Sequence, residues 1–350
     1  MFEITSQTAA DYMQSIGRVS NGEPIEVCEL AGGVSNVVLL VTLPERGERF
    51  VLKQAREQLR VKDDWRCPVE RIWREVETLR VCGRLLEMRN DESIEAIVPK
   101  VLWEDRENYV YAMTAAPQEH RTWKEMLLAG DVESSRDIVV ACGQMLGRLH
   151  RASWGDREIA AAFEDRTYFE RLRLDPYYRQ VARVHVDLAP EIERLIDSVL
   201  QNRCSLVHGD FSPKNLLVWP GHVMLIDFEV GHFGDPAFDL GFFLTHLVLK
   251  CLWAGDRRRE YLEIADRFWS SYESTIELAI GPDDFAVLEQ RTLWSLAGCM
   301  LARLDGKSRV EYLSPEQQQC VREMSRRWIV TPPQSWKEAT VTILCAEISG

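Results

Sequence analysis

The chain has 350 residues, enough for about two domains at roughly 150 residues each. Its 46% hydrophobic and 28% charged residues are ordinary for a folded globular chain and exclude a disordered tail, a collagen and a coiled-coil rod. Lys and Arg number 42 against 55 Asp and Glu, and the resulting net charge of −13 lacks the basic footprint of a general nucleic-acid binder.

Met1 to Ser20 is mixed and polar, without the apolar core of a leader peptide, so a cytoplasmic location is expected. Val34 to Thr42 (VSNVVLLVT) and Arg49 to Gln54 (RFVLKQ) are β-branched, apolar runs, and Pro44 to Gly47 between them predicts a hairpin turn. Pro68 to Met88 has helical periodicity, with Val69, Ile72, Val76, Leu79 and Leu86 on one face and Pro68 suited to a first turn. Val98 to Trp103 and Tyr109 to Thr114 predict two further strands. Ala115, Ala116 and Pro117 form a small-residue link, and helices predominate after it. Helices are expected over Ser134–Ser153, Glu191–Leu200, Pro236–Leu252, Arg257–Ser274, Phe285–Arg303 and Pro315–Trp328. An irregular, strand-containing segment rich in His, Asp, Asn and Gly lies between Leu206 and Phe233. The change in character places a boundary near residue 115. It separates a small sheet lobe, 1–114, from a larger helical lobe, 115–350.

Two features of the composition have plain readings. The nine cysteines are odd in number and form no C-x-x-C pair, which predicts reduced, mostly buried thiols. The most apolar stretch, Phe238 to Trp253, is interrupted by Asp239, His246 and Lys250 and is too short to span a bilayer, so it predicts a buried core helix and no membrane partner.

The strongest chemical signal is Leu206 to Val218, LVHGDFSPKNLLV, which contains H-G-D-x-x-x-x-N as His208, Asp210 and Asn215. Twelve residues after Asn215, LIDFEVG supplies Asp227 and Glu229. Phosphoryl transfer needs a carboxylate to orient an attacking hydroxyl and accept its proton, and oxygen ligands to hold Mg²⁺ on the nucleotide phosphates. Asp210 suits the first task. Asn215 and Asp227 suit the second. A lone H-x-D would read as a capped polar loop, but this grouping and spacing are far more specific. His208 reads as ordering the loop, not as the base.

Two signals in the first lobe support the same chemistry. Lys53, in FVLKQ, is a strand lysine that needs a counter-charge if buried, and Glu75 on the following helix can supply it. Leu30 to Asn36, LAGGVSN, lies between strand-like stretches. Gly32 and Gly33 permit close backbone approach to phosphates, and Ser35 and Asn36 offer hydrogen bonds.

The ordered set LAGGVSN, FVLKQ, Glu75, HGDFSPKN and IDFE, followed by GHFGDPAFDLG, resembles the aminoglycoside phosphotransferase and choline kinase superfamily, small-molecule relatives of the protein kinases. The resemblance covers about residues 25 to 305. Within it, VLKQAREQLRVKDDW, ERIWRE and AGCMLAR resemble the methylthioribose kinases, whose D-x-E motif is matched by Asp227-Phe228-Glu229. Of an Arg-Arg pair that contacts the sugar in that family, only Arg303 is present, followed by Leu304; Asn215 stands where that family lacks an Asn.

The resemblance implies a bilobal, protein-kinase-like α+β fold: a small antiparallel sheet lobe that binds nucleotide and a helical lobe that carries catalysis and substrate. It implies ATP and Mg²⁺ as cofactors and a small-molecule hydroxyl as acceptor. Lys53, fixed by Glu75, would contact the phosphates, with Gly32, Gly33, Ser35 and Asn36 in the covering loop and Met113 and Ala115 near the adenine. Asn215, Asp227 and Glu229 would serve the metal. Asp239 would brace the catalytic loop. Trp65, Arg71, Glu229 and Arg303 would lie on the acceptor side with Asp210. A sugar or sugar-like alcohol, methylthioribose first, is the leading acceptor, and an aminoglycoside or amino alcohol is the alternative. A nucleotide-binding pseudokinase is a reading of another class, but the lysine, the base and the metal ligands are all present. No A-P-E segment follows Asp227, which speaks against a protein kinase. A homodimer is compatible with the sequence.

Bland readings cover several other residues. His150 and His246, on apolar helix faces, are expected to be packed core histidines. The eleven tryptophans are expected to be mostly core, with Trp65 and Trp123 the candidates for a cation-binding wall.

Overall fold

The computed structural model describes residues 2–30, 35–58, 66–87 and 94–346. The chain forms two compact units, Met1–Arg84 with Val98–Gln118, and Leu85–Ile97 with Glu119–Gly350. Relative to lobes of 1–114 and 115–350, these units exchange residues 85–97 and 115–118. Leu85–Ile97 joins the second unit because its strand β4 (Glu95–Ile97) pairs in parallel with a strand of that unit, His222–Leu225.

The first unit is an antiparallel sheet with two helices. Its strands are β1 (Glu26–Glu29), β2 (Asn36–Leu43), β3 (Glu48–Ala55), β5 (Val101–Asp105) and β6 (Val110–Thr114), in the order β1-β2-β3-β6-β5. Alternation in β2 turns Val37, Leu39, Val41 and Leu43 to one side, where they pack with Tyr12, Met13, Phe50 and Leu52. The predicted hairpin turn is present. Pro44–Arg46 makes one tight helical turn, and Gly47 closes it at φ 63, a left-handed conformation that glycine adopts without penalty. Helix α2 (Arg71–Leu86) buries Ile72, Val76 and Leu79, as the periodicity predicts, and begins three residues later than expected, after a turn at Pro68. The short helix α1 (Ala9–Ser15) was not predicted. Its seven residues cover barely two turns, too few for a periodic signal. Tyr12 fixes it to the sheet by donating to Asp105 Oδ2 at 2.8 Å.

In the second unit the helices are α3 (Trp123–Leu128), α4 (Val132–Ser153), α5 (Arg157–Ala162), α6 (Thr167–Phe169), α7 (Gln180–Val184), α8 (Ala189–Gln201), α9 (Pro236–Trp253), α10 (Arg258–Ile276), α11 (Pro282–Asp305), α12 (Pro315–Val330) and α13 (Trp336–Leu344). The six predicted helices of this half are α4 and α8 to α12, each within about three residues of its expected ends. Helix α9 is 94% buried, packed between α10 and α11, as its composition requires. All nine cysteines are free.

Helices α9 and α11 meet at Gly241. A Cβ there would lie 2.7 Å from the Leu296 backbone nitrogen and 2.7 Å from Ser295 Cβ. Because one of those atoms is main chain, the helices themselves would have to separate. Gly241→Ala is expected to lower stability by about 1–3 kcal/mol, measured by urea unfolding; an unchanged midpoint would show that the two helices slide apart freely.

Two nested strand pairs position the chemistry. Strand β8 (Ser205–Val207) pairs with β11 (His232–Gly234), and β9 (Leu216–Trp219) pairs with β10 (His222–Leu225), all antiparallel. The chain leaves β8 through residues 208–215 to enter β9, and leaves β10 through residues 226–231 to enter β11. The two polar loops are thereby brought side by side. Strand β7 (Arg121–Thr122) completes a four-stranded sheet in the order β4-β10-β9-β7.

Candidate active site

Asp210 is buried at the turn of the first loop. Its Oδ2 forms ion pairs with Arg173 Nη2 at 2.8 Å and Lys214 Nζ at 2.9 Å and accepts a hydrogen bond from Asn215 Nδ2 at 2.8 Å. Oδ1 has no protein partner among the described residues. One oxygen is thus held by fixed charge and the other is left to accept from something outside the protein. Arg173 also donates from Nε to the Gly209 carbonyl at 2.8 Å, so it orients the loop as well as the carboxylate. Burial works against the charge on Arg173, but Asp210 together with Tyr177, Glu229 and Asp227 more than offsets this, so its pKa is raised.

The loop is braced from below by Asp239 on α9. Its carboxylate accepts from the backbone nitrogens of His208 and Gly209, at 2.6 and 2.7 Å, and lies 3.3 Å from His150 Nε2. Burial alone would raise the Asp239 pKa, but the hydrogen bonds from His150 and the His208 amide outweigh it and hold it below the ordinary carboxylate value. Gly209 adopts φ 75, and a Cβ there would meet Val230 Cγ2 at 2.9 Å. No bulkier residue fits this turn without strain. His208 is a loop-ordering residue, as expected. Its Nδ1 accepts from the Asp210 amide at 3.1 Å and its Nε2 lies 3.2 Å from the Ile226 carbonyl. Burial lowers its pKa, which favours the neutral ring.

The second loop is tied to the first by the Ile226 amide, which donates to the Asn215 carbonyl at 3.0 Å. Asp227 follows at once, with φ 73. A left-handed aspartate is sparsely populated and persists where the surroundings impose it, often at a functional position. Asn215 turns its amide nitrogen onto Asp210, at 2.9 Å from the carbonyl and 2.8 Å from Oδ2, which leaves its oxygen for another partner. Glu229 is buried two residues beyond Asp227.

In the first unit, Lys53 on β3 and Glu75 on α2 form a buried ion pair at 2.6 Å, the pairing expected from the sequence. Ser35 and Asn36 are buried at the start of β2, with Asn36 Nδ2 donating to Ser35 Oγ at 3.1 Å. Met113 is buried on β6 and Ala115 is half-buried just after it. Gly32, Gly33 and Trp65 lie outside the described residues.

Residues 26–274 match the family described as the Phosphotransferase enzyme family. The chain belongs to it. This phosphotransferase is similar to a methylthioribose kinase of Exiguobacterium sibiricum, 24% identical over 302 residues that cover 78% of the chain and 74% of the relative. It is also similar to a 4-hydroxytryptamine kinase of Psilocybe cyanescens, 25% identical over 249 residues, covering 63% and 67%. A choline kinase from Cryptosporidium parvum shares the fold, with a TM-score of 0.55 at 12% identity, covering 97% of this chain and 96% of that one. The protein is an ATP-dependent small-molecule phosphotransferase with a protein-kinase-like fold.

Several residues of the phosphotransferase stand elsewhere than the sequence reading put them. Arg71, expected on the acceptor side, is fully buried in the first unit. It donates to the carbonyls of Cys67, Pro68, Arg56 and Ser35 and to Asn36 Oδ1. These bonds tie the turn before α2 to the main chain at Ser35 and Arg56. Trp123 is also interior. It donates to Ser135 Oγ at 3.0 Å and stacks on Phe243, so it walls no cation pocket. His150 is a satisfied core histidine between Asp239 and Tyr272, as expected. His246 is also buried and packs edge-on against Phe242, but its Nε2 has no partner at the wall of a cavity that Arg303 also lines.

Arg173 was missed. It comes from Glu170–Arg179, a π-helical stretch with Pro176 inside it, and neither feature gives the 3.6-residue period that betrays a helix. Lys214 stands inside the quoted motif and was given no task.

Proposed function

We propose that this phosphotransferase moves the γ-phosphoryl group of ATP to a hydroxyl of a sugar or sugar-like alcohol, with Asp210 as the proton acceptor. The observation that carries the reading is the asymmetric Asp210 carboxylate, with Oδ2 held by Arg173, Lys214 and Asn215 and Oδ1 open. An acceptor hydroxyl bonded to Oδ1 is oriented for attack. Its oxygen bonds to the γ-phosphorus, the bond to the β-phosphate oxygen breaks, ADP leaves, and the proton passes to Oδ1. Lys214 supplies positive charge where the phosphoryl oxygens gather negative charge.

Hard oxygen ligands and few of them suit Mg²⁺, which takes one or two side chains and completes its shell with phosphate and water. The Asn215 oxygen, freed by the way its amide is turned, and the strained Asp227 fit that requirement, with Glu229 a further ligand or a contact to substrate. When bound, the ion neutralises phosphate charge. Among the described residues no cluster of three or more His, Cys, Asp or Glu is placed to hold a metal by itself, which agrees with a site completed by the nucleotide. In the first unit, Lys53 fixed by Glu75 serves the nucleotide phosphates, with Ser35 and Asn36 at the phosphate loop and Met113 and Ala115 at the base. The methylthioribose kinase relative makes methylthioribose the first acceptor to try.

The test is Mg-ATP-dependent ADP release by the purified chain with methylthioribose, other pentoses, choline, ethanolamine, homoserine and aminoglycosides. Turnover confined to hydroxylated sugars is expected. Turnover confined to the amines would replace the sugar reading with the amino-alcohol one, and tight ATP binding without ADP release on any acceptor would support the pseudokinase.

A further inference from the structure

A cavity of about 440 Å³ opens in the second unit beside the catalytic loop, with Pro213 and Lys214 of that loop in its wall. Among the described residues that line it are five cationic side chains, Lys124, Lys214, Lys250, Arg303 and Arg309. His246 lies among them, and Glu311 is the single carboxylate. In a chain with a net charge of −13, this is a local inversion of the overall balance.

The floor of the cavity is unusual in what it lacks. Lys250 is 1% exposed, and its ammonium donates to the His246 carbonyl at 3.3 Å and lies 5.5 Å from the centre of the Tyr312 ring. Arg303 donates from Nη1 to Tyr177 Oη at 3.2 Å and Ser308 Oγ at 2.6 Å, while its Nε is buried without a partner. Neither cation has a carboxylate within ion-pair distance among the described residues. His246 Nε2 and Tyr312 Oη are also buried and unpartnered. Burial, together with Arg303 and Lys124, pulls the Lys250 pKa down to about 7. Burial, with Arg303, Lys250, Lys214 and Lys124, pushes His246 well below its ordinary value.

A buried cation without a counter-ion destabilises the fold, so packing gives no reason for it. An anion supplies what each of these groups lacks. The position is also specific, because the ammonium of Lys214 in the cavity wall is 2.9 Å from Asp210 Oδ2.

We propose that this cavity is the acceptor site and that the acceptor is an alcohol bearing an anionic oxyacid group, a carboxylate or a phosphate, held by Lys250 and Arg303 with its hydroxyl directed to Asp210. The proposal rests on the phosphotransfer reading and narrows its substrate class. It sets the acceptor apart from uncharged methylthioribose, which brings these cations no counter-charge, and from cationic amino alcohols, which this lining repels.

The experiment has a binding arm and a turnover arm. Inorganic sulfate and phosphate are titrated calorimetrically into the full chain and into Lys250→Met and Arg303→Met, with and without ADP. Mg-ATP turnover is then compared for gluconate against glucitol, for ribose 5-phosphate against ribose, and for methylthioribose. Saturable anion binding that ADP does not displace is expected, weakened roughly 10- to 100-fold in either variant, as for loss of a charged hydrogen bond. The charged acceptors are expected to exceed their neutral counterparts in kcat/KM, and carboxylate against phosphate identifies the oxyacid. Lys250→Met is expected to melt no lower than the wild type, since it removes an uncompensated charge.

Displacement of the anion by ADP would assign the cavity to the nucleotide, and failure to bind either anion would remove the site; both overturn the proposal. Equal turnover of methylthioribose by wild type and Lys250→Met would overturn it while leaving phosphotransfer intact. Lys250-dependent anion binding with no ADP release on any acceptor would instead sink the phosphotransfer reading and leave the anion site standing.

Discussion

Asp210→Asn is expected to lower kcat by about 10²- to 10⁴-fold, with little change in the KM for ATP. The substitution preserves shape and removes the carboxylate proposed to accept the acceptor's proton. It also strips the charge that faces Arg173 and Lys214, both of which bond to Asp210 Oδ2 in the wild type. The variant therefore needs a folding control, and a melting curve beside the rate supplies it. A variant that is folded and retains the full rate would remove Asp210 from the chemistry. A rise in KM for ATP without loss of kcat would move Asp210 from the proton to the nucleotide.

Asp239→Asn should be among the most damaging substitutions in the second unit, at about 3–5 kcal/mol, the cost of breaking a buried, hydrogen-bonded charge arrangement. The native carboxylate serves two backbone amides and His150 with two oxygens. An asparagine has one oxygen, and its amide must face a donor. The effect depends on pH in a definite direction. The folded-state pKa of Asp239 is lowered, so its contribution is present above the unfolded value of about 3.9. It is lost as the pH falls through the folded pKa. The gap between wild type and variant in urea unfolding should be full at pH 7 and shrink as the pH falls below about 4. A gap that is constant down to acid pH would mean that the variant acts through packing and not through charge.

What the sequence made legible, and what it hid, follows from distance along the chain. Asp210, Asn215 and Asp227 lie in short segments whose spacing is set by two β-strands, so the motif and the geometry are nearly the same information. Lys53 and Glu75 were readable because a buried strand lysine demands a counter-charge and one helix offers it. The apolar faces of α2, α4 and α8 follow from periodicity alone. Arg173 was hidden because Pro176 and the wide π-helical turn around it erase that period. Arg71 was expected on the acceptor side from a family-like stretch, and its bonds to main-chain carbonyls show only in the packing. Lys250 and His246 were seen only as interruptions of an apolar helix. Their meaning depends on Arg303 and Tyr312, which lie more than fifty residues further along the chain.

The arrangement of β8 to β11 bears on how such an enzyme can change over time. Asp210, the expected metal ligands and the brace all lie between Ser205 and Asp239, a short run folded on itself. The cavity beside it is built mainly from α3, α9, the end of α11 and the residues that follow, with only Pro213 and Lys214 lent by the catalytic loop. With the cavity as the proposed acceptor site, reaction and selectivity are inherited on separate stretches of the gene. Drift at positions such as 124, 250, 303 and 309 can exchange one alcohol for another while the machinery that breaks the phosphate bond is passed on unaltered.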